Sequence, residues 1–203
     1  MKISQIRVGA DNFSYLISCE ATKKAAIVDP GTNASEAMKA IGKDNLELLW
    51  IINTHFHSDH TAENLRLKEI YGCGIIASAP DSDRLEDVAM KVSDGDTLQL
   101  GLAKLEFILT PGHTPGSMCV LADSRFLMTG DTLFIGDCGR TDMPGGSDRD
   151  MFLSLQKLKS LPDKTILYPG HDYGDIPFDT IQSQKLTNKT LKAKTLEELC
   201  KIA

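Results

Sequence analysis

The sequence predicts an α/β fold in which two mixed β-sheets pack face to face with helices on their outer faces, a four-layer αβ/βα sandwich. Three observations carry that expectation. The chain opens on short apolar runs separated by turn residues; a strand, helix, strand unit follows over residues 48–78; and a second series of apolar runs from residue 97 onward is broken and followed by helical segments.

Residues 2–8 alternate polar and apolar, and the runs 13–19 and 25–28 follow across turns rich in Gly, Asn, Asp and Lys, which reads as a β-meander. Asp29-Pro30-Gly31 ends the third strand, and 35–41 with Gly42 behind it reads as a short helix with a glycine stop. Leu48-Leu49-Trp50-Ile51-Ile52 is a continuous apolar run of the kind that forms a buried strand. Good helix formers fill 61–70, with Ser58 or Asp59 as the expected N-cap. Gly74 to Ser78 then returns as a strand, so 48–78 is expected to be a right-handed parallel crossover. Residues 81–92 are charged and read as weakly helical. Four antiparallel strands are expected at 97–100, 103–109, 118–121 and 125–128, the last two joined by a hairpin turn at 122–124. Asp148 to Ser160 is amphipathic and Pro162 stops it; 164–168 is a strand, and 179–203 is polar and helical, most clearly from Thr195 to Ile202.

With 203 residues, 41% hydrophobic and 25% charged, the chain can bury a core without disulfide or metal staples. No linker rich in Pro, Gly or Ser interrupts it, so 1–203 is expected to be a single domain. A net charge of −6 argues against a nucleic-acid partner, because phosphate binding rests on clustered Lys and Arg. The cysteines Cys19, Cys73, Cys119, Cys138 and Cys200 are odd in number and form no C-x-x-C pair, which fits a reducing cytoplasm rather than a disulfide framework. The N-terminus has no secretory pattern and no apolar run reaches membrane-spanning length, so a cytoplasmic protein without a membrane partner is expected, free to form a homo-oligomer.

The polar stretch after the 48–52 strand carries the chemistry. Asn53 to Thr61 packs His55, His57, Asp59 and His60 into six positions. In an extended segment His55 and His57 point to the same side, while Asp59 and His60 follow the turn into the helix. Three further loops repeat the pattern of a ligand-type side chain just after a strand, beside glycine or proline: Pro111-Gly112-His113, Gly130-Asp131 and Pro169-Gly170-His171. All five histidines fall in these loops. The expected arrangement places one divalent ion on His55, His57 and His113, a second on Asp59, His60 and His171, and Asp131 between them. Imidazole and carboxylate suit zinc, and also iron or manganese. Two such ions, roughly 3.5–4 Å apart, share and activate a water.

The run Thr54-His55-Phe56-His57-Ser58-Asp59-His60, followed in order by His113, Asp131 and His171, resembles the H-x-H-x-D-H motif and remaining ligands of the metallo-β-lactamase-fold superfamily over about residues 3–190. Within it, Gly130-Asp131-Thr132-Leu133-Phe134, Cys138-Gly139-Arg140 and Gly170-His171-Asp172-Tyr173 resemble the glyoxalase II type hydroxyacylglutathione hydrolases and the related persulfide dioxygenases. The first resemblance implies hydrolysis of an acyl-thioester such as S-lactoylglutathione by a metal-bound hydroxide. Asp59 would orient the nucleophile, Arg140 would meet a substrate carboxylate, and Tyr173 would hydrogen-bond the thiol carrier. Larger members carry a separate C-terminal helical domain that grips glutathione, which this chain is not expected to have. The dioxygenase resemblance implies instead a single iron on the residues matching His55, His113 and Asp131, oxidising glutathione persulfide. Met143-Pro144-Gly145-Gly146 favours the hydrolase. A non-hydrolytic redox module is a third reading, one that would ordinarily come fused to a flavin domain.

Overall fold

A computed structural model describes residues 1–202. Its first sheet is built from β1 (Lys2–Arg7), β2 (Phe13–Ser18), β3 (Lys24–Val28), β4 (Glu47–Ile52), β5 (Gly74–Ser78) and β6 (Val88–Val92), in that spatial order. The β1–β2–β3 meander is antiparallel, whereas β3, β4, β5 and β6 run parallel. The helix α1 (Ser35–Lys43) connects β3 to β4, and α2 (Ser58–Thr61) with α3 (Asn64–Tyr71) connects β4 to β5. The second sheet takes β7 (Thr97–Leu100), β8 (Ala103–Leu109), β9 (Met118–Ala122), β10 (Phe126–Gly130), β11 (Ile166–Pro169) and β12 (Asp179–Thr180), again as sequential neighbours. Only β10 and β11 are parallel there, linked through α4 (Asp148–Lys159). α5 (Ile181–Thr187) and α6 (Leu196–Cys200) complete the chain.

The alternation of side chains along each strand sorts the core into three layers. Tyr15, Ile17, Ala26, Val28 and Ile52 point between the sheets, where they meet Leu105, Phe107, Val120 and Met128. Their neighbours Leu16, Ile27 and Ile51 point the other way and pack beneath α1 and α3 with Ala37, Ile41 and Leu67. On the far side, Cys119, Leu121, Leu127 and Leu167 pack against Met151, Leu155 and Leu158 of α4, Ile181 of α5 and Leu199 of α6. Strands buried on both faces read as continuous apolar runs, which is why 48–52 shows no alternation. Full burial of each such Leu, Ile or Phe contributes about 1.5–3 kcal/mol.

The four-layer arrangement is as expected, with local departures. Residues 81–92 are not helical: a single 3-10 turn at Ser82–Arg84 leads into β6, which pairs with β5 at the edge of the first sheet. Val88, Met90 and Val92 turn inward while Ala89 and Lys91 face solvent, a period of two that the surrounding acids obscure. The expected helix over 61–70 is broken into α2 and α3. Neither Ser58 nor Asp59 caps it; the preceding position is His57, in extended backbone and making no side-chain cap bond. The 123–124 turn carries positive φ at both Asp123 and Ser124, the signature of a type I′ hairpin. Residues 179–202 are helical only in α5 and α6, because Asn188 ends α5: its Oδ1 accepts the Thr190 and Leu191 N–H groups while its amide donates to the Phe134 and Asp137 carbonyls. Ala203, the last residue of the expected helical stretch, lies outside the described residues. No described helix is long and apolar enough to cross a membrane.

Candidate metal centre

Every ligand-type side chain singled out from the sequence lies at one edge of the sandwich, in loops that leave β4, β8, β10 and β11. The two sheets are stitched there by a hydrogen bond from Met118 N–H to the Thr54 carbonyl at 2.8 Å. This is the carboxyl edge of the parallel strands, where α/β sheets present their sites.

Ring nitrogens of His55, His57 and His113 lie within 4.8 Å of one another, with His57 Nδ1 and His113 Nε2 only 3.0 Å apart. Ligand atoms of Asp59, His60 and His171 form a second group, also within 4.8 Å of one another, with His60 Nε2 and His171 Nε2 at 3.2 Å. Asp131 lies between the groups. Its Oδ2 is 3.2 Å from His171 Nε2 and 3.6 Å from His113 Nε2, and its Oδ1 is 3.4 Å from His60 Nε2. His55 also approaches the second group, its ring centroid 4.3 Å from that of His60.

Except in His57, the Nδ1 atoms of these rings are engaged, which directs Nε2 inward. His60 Nδ1 donates to Asp29 Oδ2 at 3.1 Å, and His113 Nδ1 donates to the Arg140 carbonyl at 2.8 Å. His171 Nδ1 meets Asp11 Oδ1 at 3.3 Å. His55 Nδ1 lies 3.1 Å from Thr54 Oγ1, which donates its own proton to Asp29 Oδ2 at 2.6 Å. Asn12 Nδ2 donates to Asp59 Oδ2 at 2.9 Å. With Nδ1 of both His60 and His171 directed at a carboxylate, the two Nε2 atoms face each other and Asp131, an arrangement that a cation between them satisfies once the rings are unprotonated. His55 Nε2 and Asp131 Oδ1 are buried and have no hydrogen-bond partner among the described residues. Orphaned buried atoms converging with mutually facing ring nitrogens fit a pair of metal ions.

Two glycines let Asp131 sit this deep. Gly130 has φ +47°, and a Cβ there would fall 2.3 Å from Thr54 Oγ1; a Cβ on Gly170 would fall 2.5 Å from Asp131 Oδ1. Burial alone would raise the Asp131 carboxyl, yet His60, His171 and His55 hold it below its ordinary value. Asp59 is held low chiefly by His60 beside it, whose Nε2 lies 3.4 Å from its Oδ2. Burial lowers His55 and His57, and the neighbouring rings add to the effect.

Arg140 and Tyr173 border this centre differently. The Arg140 carbonyl holds His113, while its guanidinium forks onto Asp142 at 2.6 and 2.7 Å and faces solvent. Tyr173 stacks on His171 with centroids 4.8 Å apart and planes 9° from parallel, and burial pushes its phenol up to about 12, so it stays protonated at neutral pH. Sequence reasoning missed Asp29, Thr54, Asp11 and Asn12. Asp29 reads as the stop of β3 and Asp11-Asn12 as turn formers; the positive φ of Asp29 (+49°), which aims its carboxylate back under β4, leaves no trace in composition.

Residues 9–171 match the metallo-beta-lactamase superfamily, and the chain belongs to that family. It is 38% identical over 198 residues to a hydroxyacylglutathione hydrolase of Rhodospirillum rubrum, covering 97% of this chain and 76% of that protein. It is 32% identical over 197 residues to the mitochondrial persulfide dioxygenase ETHE1 of Homo sapiens, covering 94% of this chain and 75% of that one. The crystal structure of ETHE1 from Myxococcus xanthus superposes with a TM-score of 0.91 at 30% identity, over 100% of this chain and 89% of that chain.

Proposed function

We propose that the protein is a metal-dependent hydrolase of acyl-thioesters of the hydroxyacylglutathione kind. His55, His57 and His113 would hold one ion, Asp59, His60 and His171 a second, and Asp131 would contact both. The observation that supports this reading is the completeness of the second group: ligand atoms of Asp59, His60 and His171 also gather within 4.8 Å of one another, and each residue is fixed from behind by Asn12, Asp29 or Asp11. When bound, two divalent cations supply Lewis acidity and lower the pKa of a water shared between them.

The chain's own residues do the rest. Asp59, partly exposed and ionised, faces the open side of the centre and would orient the attacking water while Asn12 keeps its carboxylate from rotating. Tyr173, protonated and stacked on His171, would donate its O–H to the thiol carrier. Arg140 would exchange Asp142 for a substrate carboxylate, keeping the same planar fork.

A second reading is a dioxygenase using one iron on His55, His113 and Asp131, favoured by the likeness to ETHE1 over the full chain. Metal analysis of protein purified without added metal, together with assays of S-lactoylglutathione hydrolysis and of oxygen uptake with glutathione persulfide, separates them. Two ions per chain with thioester turnover supports the hydrolase; one iron per chain with oxygen uptake and no thioester turnover overturns it.

A further inference from the structure

The segment between β5 and β6 holds none of the seven ligand-type residues, yet it meets both loops that carry the first group. Asp81 is 1% exposed, and its Oδ2 accepts a 2.7 Å hydrogen bond from Thr114 Oγ1, on the residue that follows His113. Its Oδ1 is buried without a hydrogen-bond partner among the described residues. Burying a carboxylate is costly unless it is paired, and the bond to Thr114 is its compensation. Thr114 is fixed in turn by Ser117, whose Oγ lies 2.8 Å from Thr114 Oγ1 and accepts the Thr114 N–H at 3.0 Å. Ser78 Oγ donates to the Gly116 carbonyl at 2.5 Å, and a Cβ on Gly116 would lie 2.5 Å from the Asp81 carboxyl carbon. The His113 loop is thus pressed directly onto the acid.

Three residues on, Arg84 lays its guanidinium over the Phe56 ring, 4.7 Å from the centroid. Phe56 meets His57 edge-on at 4.8 Å. Arg84 makes no ion pair with a carboxylate among the described residues, so the ring is its main anchor. Hydrogen bonds to Asp59, His60 and His171 come from elsewhere, from Asn12, Asp29 and Asp11.

We infer that Asp81 and Arg84 make this segment a clamp that fixes the separation of His57 and His113, and so sets the metal affinity of the His55–His57–His113 position without acting on the Asp59–His60–His171 position. Asp81, Thr114 and Arg84 are positioning residues in this account, which rests on the ligand assignment proposed above. The grip has two contacts of different kind. The Asp81–Thr114 bond holds the loop after β8, and the cation–π contact holds the loop after β4. Loss of either widens a gap that is 3.0 Å between the two inward nitrogens.

The test is a zinc titration of the full chain against a chromophoric chelator. Wild type, Thr114→Val and Thr114→Ser are compared first; valine keeps the shape and removes the hydroxyl, whereas serine keeps the hydroxyl. The same pair is then placed in a His171→Ala background, where only the first group is complete, and in a His57→Ala background, where it is not. Thr114→Val is expected to weaken the first position about 10–100-fold, in line with the usual cost of removing a residue that orients a ligand, while Thr114→Ser stays close to wild type. The loss should persist with His171→Ala and vanish with His57→Ala. Arg84→Gln, which leaves the buried bond intact, should weaken the same position. Equal weakening of both positions, or wild-type affinity in Thr114→Val, overturns the clamp alone. A wild-type chain that takes up fewer than two ions overturns the ligand assignment, and the clamp with it.

Discussion

At the scale of single residues, the centre depends on carboxylates that each face more than one imidazole. Asp131→Ala removes the group that approaches His60, His113 and His171 together, so metal content by elemental analysis is expected to fall below that of wild type and thioester turnover to be lost; retained turnover would reject its bridging role. Asp29→Asn tests the layer behind. Asp29 accepts from Thr54 N–H, Thr54 Oγ1 and His60 Nδ1, and an amide replaces one of those acceptor oxygens with a donor. Metal affinity in a chelator competition should drop roughly 10–100-fold. The seven ligand-type residues were legible in the sequence because four of them crowd into 55–60 just after a strand and the other three follow strands beside Gly or Pro. Asp29, Asp11 and Asn12 were not, because a turn-forming acid and an acid that orients an imidazole look alike until the chain has folded.

At the scale of elements, the ligand loops inherit their positions from what packs beneath them. Gly112 sits at φ +144°, and a Cβ there would come within 2.5 Å of the Met151 Cα on α4. Gly112→Ala should therefore push the His113 loop off α4 and destabilise the fold by more than about 1 kcal/mol, read as a lower urea midpoint at unchanged slope. Leu155 is fully buried beneath the second sheet, and its truncation to Ala should cost about 2–5 kcal/mol in the same measurement. Strands buried on both faces were easy to read as runs. β6 was not, because only Val92 of its residues is fully buried and the charged Lys91, Glu86 and Asp87 around it resemble an exposed helix. The break between α2 and α3 also escaped: helix-forming composition continues across Ala62 and Glu63, while the backbone turns to bring His60 beneath Gly31, whose N–H bonds the His60 carbonyl at 3.0 Å.

At the scale of the molecule, the proposed ligand assignment sets protons and metal in competition for the same nitrogens. His55 and His57 are lowered below the ordinary imidazole value near 6.5, chiefly by burial. The unfolded chain then binds more protons between the two values, so their contribution to stability is complete above about pH 6.5 and drains away as pH falls through the lowered values. His60 and His171 are raised, since their carboxylate partners outweigh burial, and carry the opposite sign in the metal-free chain: their contribution is present below about pH 6.5 and lost as pH rises through the raised values. Under the ligand assignment proposed above, metal uptake would need all five rings unprotonated, so dialysis at pH 5 should strip ions that dialysis at pH 7.5 leaves in place, and the melting temperature should fall with them, by the equivalent of roughly 2.7 kcal/mol for free metal at a hundred times its dissociation constant. The strand order carries a further consequence. The first sheet draws all its strands from residues 2–92 and the second all of its own from 97–180, each with its own helices. The molecule is two contiguous halves joined covalently at Ser93–Asp96, with His55, His57, Asp59 and His60 on one side of that junction and His113, Asp131 and His171 on the other. Neither half owns a whole centre, so a chain severed at Gly95 would keep every strand pairing within its parts, and bound ions would add to the apolar layer between the sheets a second means by which one part recognises the other.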